Sequence, residues 1–266
     1  MAGIVSPETP RAYLLDLDGT LYAGGAAVPG AAETLQRLRR QQTPFRLVTN
    51  TTSRSRSGIV ARLAGYGIDV SEPEVFTATL AGAEAAHAAG FTKVAPFVPE
   101  PALEDLQGLN LVGGTSRGRG GGPPDAVLLG DMAEGWTFEL LQQAFEYLMS
   151  GAAAIALSRD RYWLKDERLT LDAGPFVAAL EFATGKEFTV AGKPSSAFYA
   201  AALASLGLTP SRATAMVGDD LWSDVAGAQR AGLQGWLVQT GKFRESVLRE
   251  SGIVPDRIIG SVAAVE

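Results

Sequence analysis

The stretch Leu14-Leu15-Asp16-Leu17-Asp18-Gly19-Thr20 decides the fold. An apolar run over residues 12–15 ends in two aspartates one residue apart, followed by Gly-Thr. A short apolar run bounded by a turn signal predicts a buried strand of a parallel sheet, and open α/β sheets bind ligands at the carboxyl ends of their strands. Two carboxylates this close repel each other unless a cation or a shared proton intervenes. An ordinary strand-end turn would also use Asp and Gly, so the later segments must decide.

Strand and helix patterns alternate on both sides of this stretch. Residues 31–41 and 54–66 have helical apolar spacing, and a strand pattern over 45–48 lies between them. The alternation returns near the end of the chain, with strand patterns over 188–191, 213–217 and 235–239. Such alternation predicts an α/β fold, a Rossmann-like parallel sheet with right-handed crossovers. We predict a split core over residues 1–79 and 185–266, with an inserted α/β module over 80–184.

Composition excludes several classes of protein. The chain has 266 residues, 46% hydrophobic content and a formal net charge of -6, which suits a globular protein and argues against a general nucleic-acid binder. Cysteine is absent, which excludes disulfides, cysteine-ligated zinc and cysteine nucleophiles, and His87 is the only histidine. Neither a signal peptide pattern nor an apolar run of membrane-spanning length is visible. We therefore expect a cytoplasmic protein with no membrane or nucleic-acid partner.

Four polar groups follow predicted core strands, and parallel strands finish at one edge of a sheet. These groups are Asp16 with Asp18, Thr49 with Asn50, Lys193, and Asp219 with Asp220 and Asp224. Each group alone could be an ordinary turn, but together they supply acids, one lysine and a hydroxyl. The chemistry that fits is phosphoryl transfer to an aspartate, with a hard cation balancing the acids. Oxygen-only ligands favour Mg²⁺ over zinc.

These four groups resemble the four motifs of the haloacid dehalogenase (HAD) superfamily. The motifs are Asp16-Leu17-Asp18-Gly19-Thr20, Val48-Thr49-Asn50, Gly192-Lys193-Pro194 and Gly218-Asp219-Asp220-Leu221-Trp222-Ser223-Asp224. The chain is most similar to the phosphatases of subfamily IIA, the NagD-like branch, in which a large C2-type cap lies between the second and third motifs. Segments 48–53, 171–176 and 190–194 look closest to the phospholysine phosphohistidine inorganic pyrophosphate phosphatases and a related group of hydrolases. The likeness runs over nearly the whole chain.

The resemblance implies a role for each of the two acids in the first motif. Asp16 would be the nucleophile that forms an aspartyl-phosphate, and Asp18 the general acid and base. Mg²⁺ would be held by the Asp16 carboxylate, the Asp18 backbone carbonyl and Asp219. Asp224 would lie behind these ligands and orient them or Lys193.

The resemblance also implies how the phosphoryl group is held. Thr49 and Asn50 would bind it on one side and Lys193 on the other. Asp220 stays ambiguous, since it could touch metal-bound water or cap the following helix. The inserted residues 80–184 would be the cap, a lid that reads the leaving group and that pairs into homodimers in this branch.

Within the inserted module, Arg159 and Arg161 could hold an anionic or planar leaving group, or they could form a solvated rim. Gly130-Asp131 repeats the Gly-Asp signature of the core, and we interpret it as a decoy for metal binding, with substrate contact left open. The glycine-rich stretch 113–124 lacks the phosphate-loop pattern and its lysine, so we predict a flexible surface loop.

The resulting hypothesis is a Mg²⁺-dependent phosphatase acting on a small phosphorylated metabolite. One alternative is a non-catalytic phospho-ligand binder on the same fold, which would require a broken motif, and none is broken. The other is a dehalogenase or a phosphotransferase. Asp18 weighs against dehalogenation, because family dehalogenases lack a second aspartate at that place. The short segment 21–28 after the first motif weighs against a mutase, which usually carries its smaller cap there.

Overall fold

The computed structural model describes residues 9–116, 122–165 and 168–266. The strands in these residues are β1 (Ala12–Asp16), β2 (Tyr22–Ala23), β3 (Ala26–Ala27), β4 (Phe45–Thr49), β5 (Val75–Thr77), β6 (Lys93–Phe97), β7 (Asn110–Leu111), β8 (Ala126–Leu129), β9 (Ala153–Ala156), β10 (Tyr162–Lys165), β11 (Arg168–Leu171), β12 (Thr189–Val190), β13 (Thr214–Gly218), β14 (Gln234–Val238) and β15 (Arg257–Ile259).

The α-helices are α1 (Ala31–Arg40), α2 (Arg56–Gly65), α3 (Ala78–Ala88), α4 (Phe138–Met149), α5 (Ala173–Thr184), α6 (Ser196–Ala204), α7 (Gly227–Arg230) and α8 (Glu245–Ser251). A π-helical segment, Leu221–Ala226, precedes α7. Short 3-10 segments occur at Glu72–Glu74, Glu100–Leu106, Ala133–Gly135 and Val262–Ala264.

The chain divides into two compact units. The first contains the described residues up to Thr49 together with Val60–Phe76 and Lys193–Glu266, and the second contains the described residues of Asn50–Ile59 and Thr77–Gly192. No helix in the described part of the chain is both long and apolar enough to cross a membrane.

The first unit is built on a six-stranded sheet of order β15-β14-β13-β1-β4-β5. Neighbouring strands from β15 to β4 run parallel, which confirms the Rossmann-like α/β prediction. The central strand β1 is buried along its whole length, because its side chains are covered on both faces. Its residue Leu15 is in register with Leu47 on one side and Val217 on the other, so the three strands end level with one another.

The second unit has its own five-stranded parallel sheet, of order β12-β9-β8-β6-β7. Its apolar core packs the sheet against α4 and α5, where Trp136 stacks between Phe97 and Phe176 at ring-centroid distances of 6.0 and 4.9 Å. A separate antiparallel hairpin, β10–β11, exposes Tyr162, Leu169 and Leu171.

Two boundaries differ from the sequence-based division. Strand β12 pairs with β9, Thr189 opposite Ile155, so the expectation that Lys193 follows a strand of the core sheet is wrong. A two-residue strand has no sequence signal for its partner, because pairing is a tertiary property.

Segment 50–59 also belongs with the second unit, through hydrogen bonds that sequence spacing does not indicate. The backbone N–H and Nε of Arg56 donate to the buried Asp105 carboxylate, at 3.0 and 3.1 Å. The backbone N–H of Asp131 donates to Thr52 Oγ1 at 2.7 Å.

Candidate active site

Three buried carboxylates converge at the carboxyl edge of the first sheet. Asp16 is the last residue of β1, Asp219 directly follows β13, and Asp224 lies in the π-helical segment after it. Their residue exposures are only 7%, 4% and 1%. One carboxylate oxygen from each lies within 4.8 Å of the other two. Three carboxylates that are this close together and shielded from solvent require compensation of their negative charge by a cation or by protonation.

Lys193 supplies part of that compensation. Its ammonium donates to Asp16 Oδ1 at 2.6 Å and to Asp224 Oδ1 at 2.7 Å, and all three side chains are buried. Asp224 Oδ2 also accepts the backbone N–H of Asp220 at 3.1 Å, so both of its oxygens are engaged. This arrangement fixes the lysine beside Asp16 with little rotational freedom.

Burial and the neighbouring charges shift the pKa values of the four buried groups. Burial, followed by the charges of Asp16 and Asp224, raises the pKa of Asp219 to about 8. Burial also raises the pKa of Asp224 to about 7, although the charge of Lys193 opposes the shift. Burial raises the pKa of Asp16 in the same way, again opposed by Lys193. For Lys193, burial favours the neutral form, but Asp16 and Asp224 outweigh it and raise its pKa.

The donor set fits a hard divalent cation. Three acids and one lysine leave a negative excess, and the cluster offers oxygen atoms only, which suits Mg²⁺ and excludes a thiolate or imidazole site. Burial and, after it, repulsion from neighbouring carboxylates raise the pKa values of Asp219 and Asp224, and a bound cation would oppose both effects by favouring the ionised forms.

Asp220 has a structural role in the described chain. Its Oδ1 accepts the backbone N–H groups of Trp222 and Ser223, at 2.9 and 3.0 Å, and so caps the helical segment. Its Oδ2 accepts the Lys242 ammonium at 2.9 Å. Of the two roles that the sequence left open, these contacts correspond to the capping role.

Asp18 lies two residues beyond the end of β1 and is exposed. Its Oδ2 accepts the hydroxyl of Tyr22 at 2.6 Å. The Tyr22 ring packs on Tyr66 and under the Arg62 guanidinium, which lies 4.7 Å from the ring centroid. Sequence reasoning missed Tyr22, although a tyrosine four residues after an aspartate was a visible signal.

Thr49 and Asn50 fall on either side of the division between the units. Thr49 is the buried last residue of β4 in the first unit, whereas Asn50 belongs to the second. The Asn50 side-chain amide donates to Asp160 Oδ2 at 3.1 Å, and Ser158 Oγ donates to the same oxygen at 3.0 Å. Asp160 lies between Arg159 and Arg161 in the sequence, and its contacts with Asn50 and Ser158 were not predicted from the sequence.

The other sequence candidates in the second unit have different environments. Arg159 forms an ion pair with Glu181, with nitrogen–oxygen distances of 3.1 and 2.6 Å. Arg161 is exposed, and its side chain has no hydrogen bond or ion pair among the described residues. Asp131 is buried, and its Oδ1 accepts the backbone N–H of Ala133 at 2.7 Å. Residues 117–121 of the predicted glycine-rich loop lie outside the described residues.

A fifth strand end, after β14, also reaches the site, and sequence reasoning missed it. The Thr240 hydroxyl donates to the Gly19 carbonyl oxygen, and the Lys242 backbone N–H donates to Asp219 Oδ2 at 2.8 Å. The available signal was the Thr-Gly pair that directly follows the predicted strand 235–239.

Comparison with known families agrees with this geometry. A haloacid dehalogenase-like hydrolase model matches residues 13–111, and a second HAD-hydrolase-like model matches residues 190–265. The chain is 42% identical over 236 residues to the bovine (Bos taurus) haloacid dehalogenase-like hydrolase domain-containing protein 2, covering 88% of this chain and 86% of the relative. It is 32% identical over 259 residues to the human phospholysine phosphohistidine inorganic pyrophosphate phosphatase, covering 95% and 92%.

Solved structures extend the likeness across the fold. The 4-nitrophenylphosphatase of Thermotoga maritima superposes with a TM-score of 0.86 at 28% identity, covering 97% of this chain and 98% of that one. NagD from Escherichia coli superposes with a TM-score of 0.85 at 26% identity, covering 97% and 99%. The chain therefore belongs to the haloacid dehalogenase-like hydrolases. Within that family it is a phosphatase of subfamily IIA, the NagD-like branch.

Proposed function

We propose that this phosphatase is Mg²⁺-dependent and hydrolyses a small phosphorylated metabolite through an aspartyl-phosphate formed on Asp16. The observation that carries the proposal is the buried cluster of Asp16, Asp219 and Asp224, in which Lys193 pairs with Asp16 and Asp224. A buried carboxylate at a strand end, held by a lysine and close to further acids, is suited to nucleophilic attack on a phosphoryl group.

The cation would be held by the carboxylates of Asp16 and Asp219 and by the backbone carbonyl of Asp18. When bound, Mg²⁺ neutralises the acids and polarises the phosphoryl oxygens. Asp224 is better suited to hold Lys193 than to bind metal directly, because both of its oxygens already accept hydrogen bonds. Thr49, Asn50 and Lys193 would bind the phosphoryl oxygens.

The reaction then proceeds in two displacements at phosphorus. In the first, an Asp16 carboxylate oxygen bonds to phosphorus as the bond to the leaving oxygen breaks, and Asp18 gives its proton to that oxygen. In the second, Asp18 takes a proton from water, the water oxygen bonds to phosphorus, and the bond to Asp16 breaks. Inorganic phosphate and the original carboxylate of Asp16 are the products.

We further propose that the second unit binds the leaving group of the substrate. We propose a functional division into a catalytic core, residues 1–79 and 185–266, and a cap, residues 80–184, although residues 50–59 and strand β12 pack with the second unit. Arg159 and Arg161 are the cationic candidates in the cap, and Arg161 is the better one because Arg159 is paired with Glu181. The exposed apolar residues Leu169, Leu171 and Phe182 support homodimer formation through the cap, which light scattering on the purified protein would test.

The test is hydrolysis of 4-nitrophenyl phosphate with and without Mg²⁺, for the wild type and for Asp16→Asn. We expect turnover that requires Mg²⁺ and falls by at least about 1,000-fold in the variant. Far-ultraviolet circular dichroism of Asp16→Asn should match the wild type, which controls for misfolding. A folded Asp16→Asn with turnover near that of the wild type would exclude Asp16 as the nucleophile, and full turnover after removal of divalent ions would exclude the Mg²⁺ requirement.

A further inference from the structure

We propose that the segment Thr240-Gly241-Lys242, here called the β14 loop, positions Asp219 for the cation and is a fifth structural element of the active site. The inference rests on the proposed metal site, and all residues involved belong to the first unit. The residues of the β14 loop act through other groups and are therefore positioning residues.

The first contact fixes one oxygen of the Asp219 carboxylate. The Lys242 backbone N–H donates to Asp219 Oδ2 at 2.8 Å, whereas Oδ1 accepts no hydrogen bond from the described residues. A carboxylate bonded at one oxygen keeps a defined orientation and presents the other oxygen to a metal ion. The backbone donor holds this orientation independently of the Lys242 side chain, which pairs with Asp220.

The second contact is steric. Gly19 and Gly241 both have positive φ angles, +77° and +60°, and lie against the same oxygen of Asp219. A Cβ built on either glycine would overlap Asp219 Oδ2, and a Cβ on Gly241 would also lie 2.5 Å from the Gly19 Cα. The Asp219 carboxylate therefore fills a space that only two side-chain-free residues leave open.

The third contact joins the β14 loop to the first motif. The Thr240 hydroxyl donates to the carbonyl oxygen of Gly19, which directly follows Asp18. The β14 loop thus contacts both chain segments that are proposed to supply metal ligands. Its geometry couples the position of the Asp18–Gly19 turn to the position of Asp219.

The test compares two glycine variants that have similar backbone strain. Gly241→Ala places a Cβ on Asp219, whereas Gly24→Ala places one at nearly the same φ, +57°, with nothing within 4 Å. Both substitutions cost about 1–2 kcal/mol of stability through left-handed backbone strain. We expect calorimetric Mg²⁺ affinity to fall about 10- to 100-fold in Gly241→Ala and to stay unchanged in Gly24→Ala.

A second variant serves if Gly241→Ala does not fold. Thr240→Val keeps the shape of the side chain but removes the hydrogen bond to Gly19, and we expect Mg²⁺ affinity to fall about tenfold, with KM for Mg²⁺ rising in parallel. Wild-type affinity in folded Gly241→Ala, or in Thr240→Val where that variant is the one measured, would overturn the role of the β14 loop. Absence of Mg²⁺ binding to the wild type would instead overturn the proposed metal site, so the two failures are distinguishable.

Discussion

At the scale of single residues, the hydroxyl of Tyr22 orients Asp18, the proposed general acid. It donates to Asp18 Oδ2 at 2.6 Å, and without it the exposed carboxylate would keep its rotational freedom. A general acid matters most when the leaving oxygen is strongly basic, because such an oxygen must be protonated as its bond to phosphorus breaks. Tyr22 is therefore expected to affect substrates unequally.

We predict that Tyr22→Phe lowers kcat/KM, which reports the displacement that expels the leaving group, about tenfold for an alkyl phosphate and less than about threefold for 4-nitrophenyl phosphate. Steady-state kinetics on the two substrates measures this ratio. Tyr66→Phe is the matched control, because it removes a hydroxyl from the same aromatic cluster without a contact to Asp18. An equal loss on both substrates, or the same selectivity in Tyr66→Phe, would show that Tyr22 acts only through packing.

At the scale of elements, Asp256 joins the edge strand β15 to its neighbours. Its Oδ2 accepts the Gly235 backbone N–H at 2.8 Å and Gln229 Nε2 at 3.0 Å, and Arg212 binds both of its oxygens. Burial alone would raise the pKa of Asp256, but the hydrogen bonds from Arg212, Gln229 and Gly235 outweigh burial and lower it. The ionised form is therefore favoured in the folded state.

We predict that Asp256→Asn lowers the free energy of unfolding by about 1–2 kcal/mol at neutral pH. Since the folded pKa lies below the unfolded value of about 3.9, this contribution is complete above that value and is lost as the pH falls through the folded pKa. Urea unfolding of both proteins from neutral to acidic pH measures the difference. A gap between the two proteins that is constant or grows toward acid would contradict the assignment.

The sequence predicted most elements of both units because their apolar periodicity is local. It also predicted that Asp16, Lys193, Asp219 and Asp224 meet, since their motifs follow strands or strand-like runs. It did not predict that β12 joins the second sheet, or that 50–59 packs with the second unit, because pairing partners are set by tertiary contacts. The β14 loop was missed for the same reason, since its bonds to Gly19 and Asp219 span more than 20 residues of sequence.

At the scale of the whole molecule, we expect selectivity to come from the second unit and chemistry from the first. Arg159 and Arg161 provide a matched pair for this idea. The Arg159 guanidinium is bound by Glu181, whereas Arg161 is exposed with no side-chain partner among the described residues. A charged group with unused donors can bind an anionic leaving group through charge-assisted hydrogen bonds.

We predict that Arg161→Ala raises KM about tenfold for substrates whose leaving group carries a second negative charge. The change for 4-nitrophenyl phosphate should be much smaller, and Arg159→Ala should leave the ratio between the substrates at the wild-type value. Kinetics on two phosphate monoesters that differ only in whether the leaving group is negatively charged or neutral gives that ratio. If Arg161→Ala leaves this KM ratio unchanged, Arg161 is a solvated surface residue that does not bind the leaving group.

The central claim, a phosphoryl bond to Asp16, is tested most directly by trapping the intermediate. Asp18→Asn should accumulate it on 4-nitrophenyl phosphate, because this leaving group departs without protonation but water attack still needs the base. Borohydride reduces an acyl phosphate to an alcohol, so peptide mass spectrometry should find homoserine at position 16, and only after substrate is added. Reduction at a different residue, or complete turnover with residue 16 always recovered as aspartate, would contradict the account.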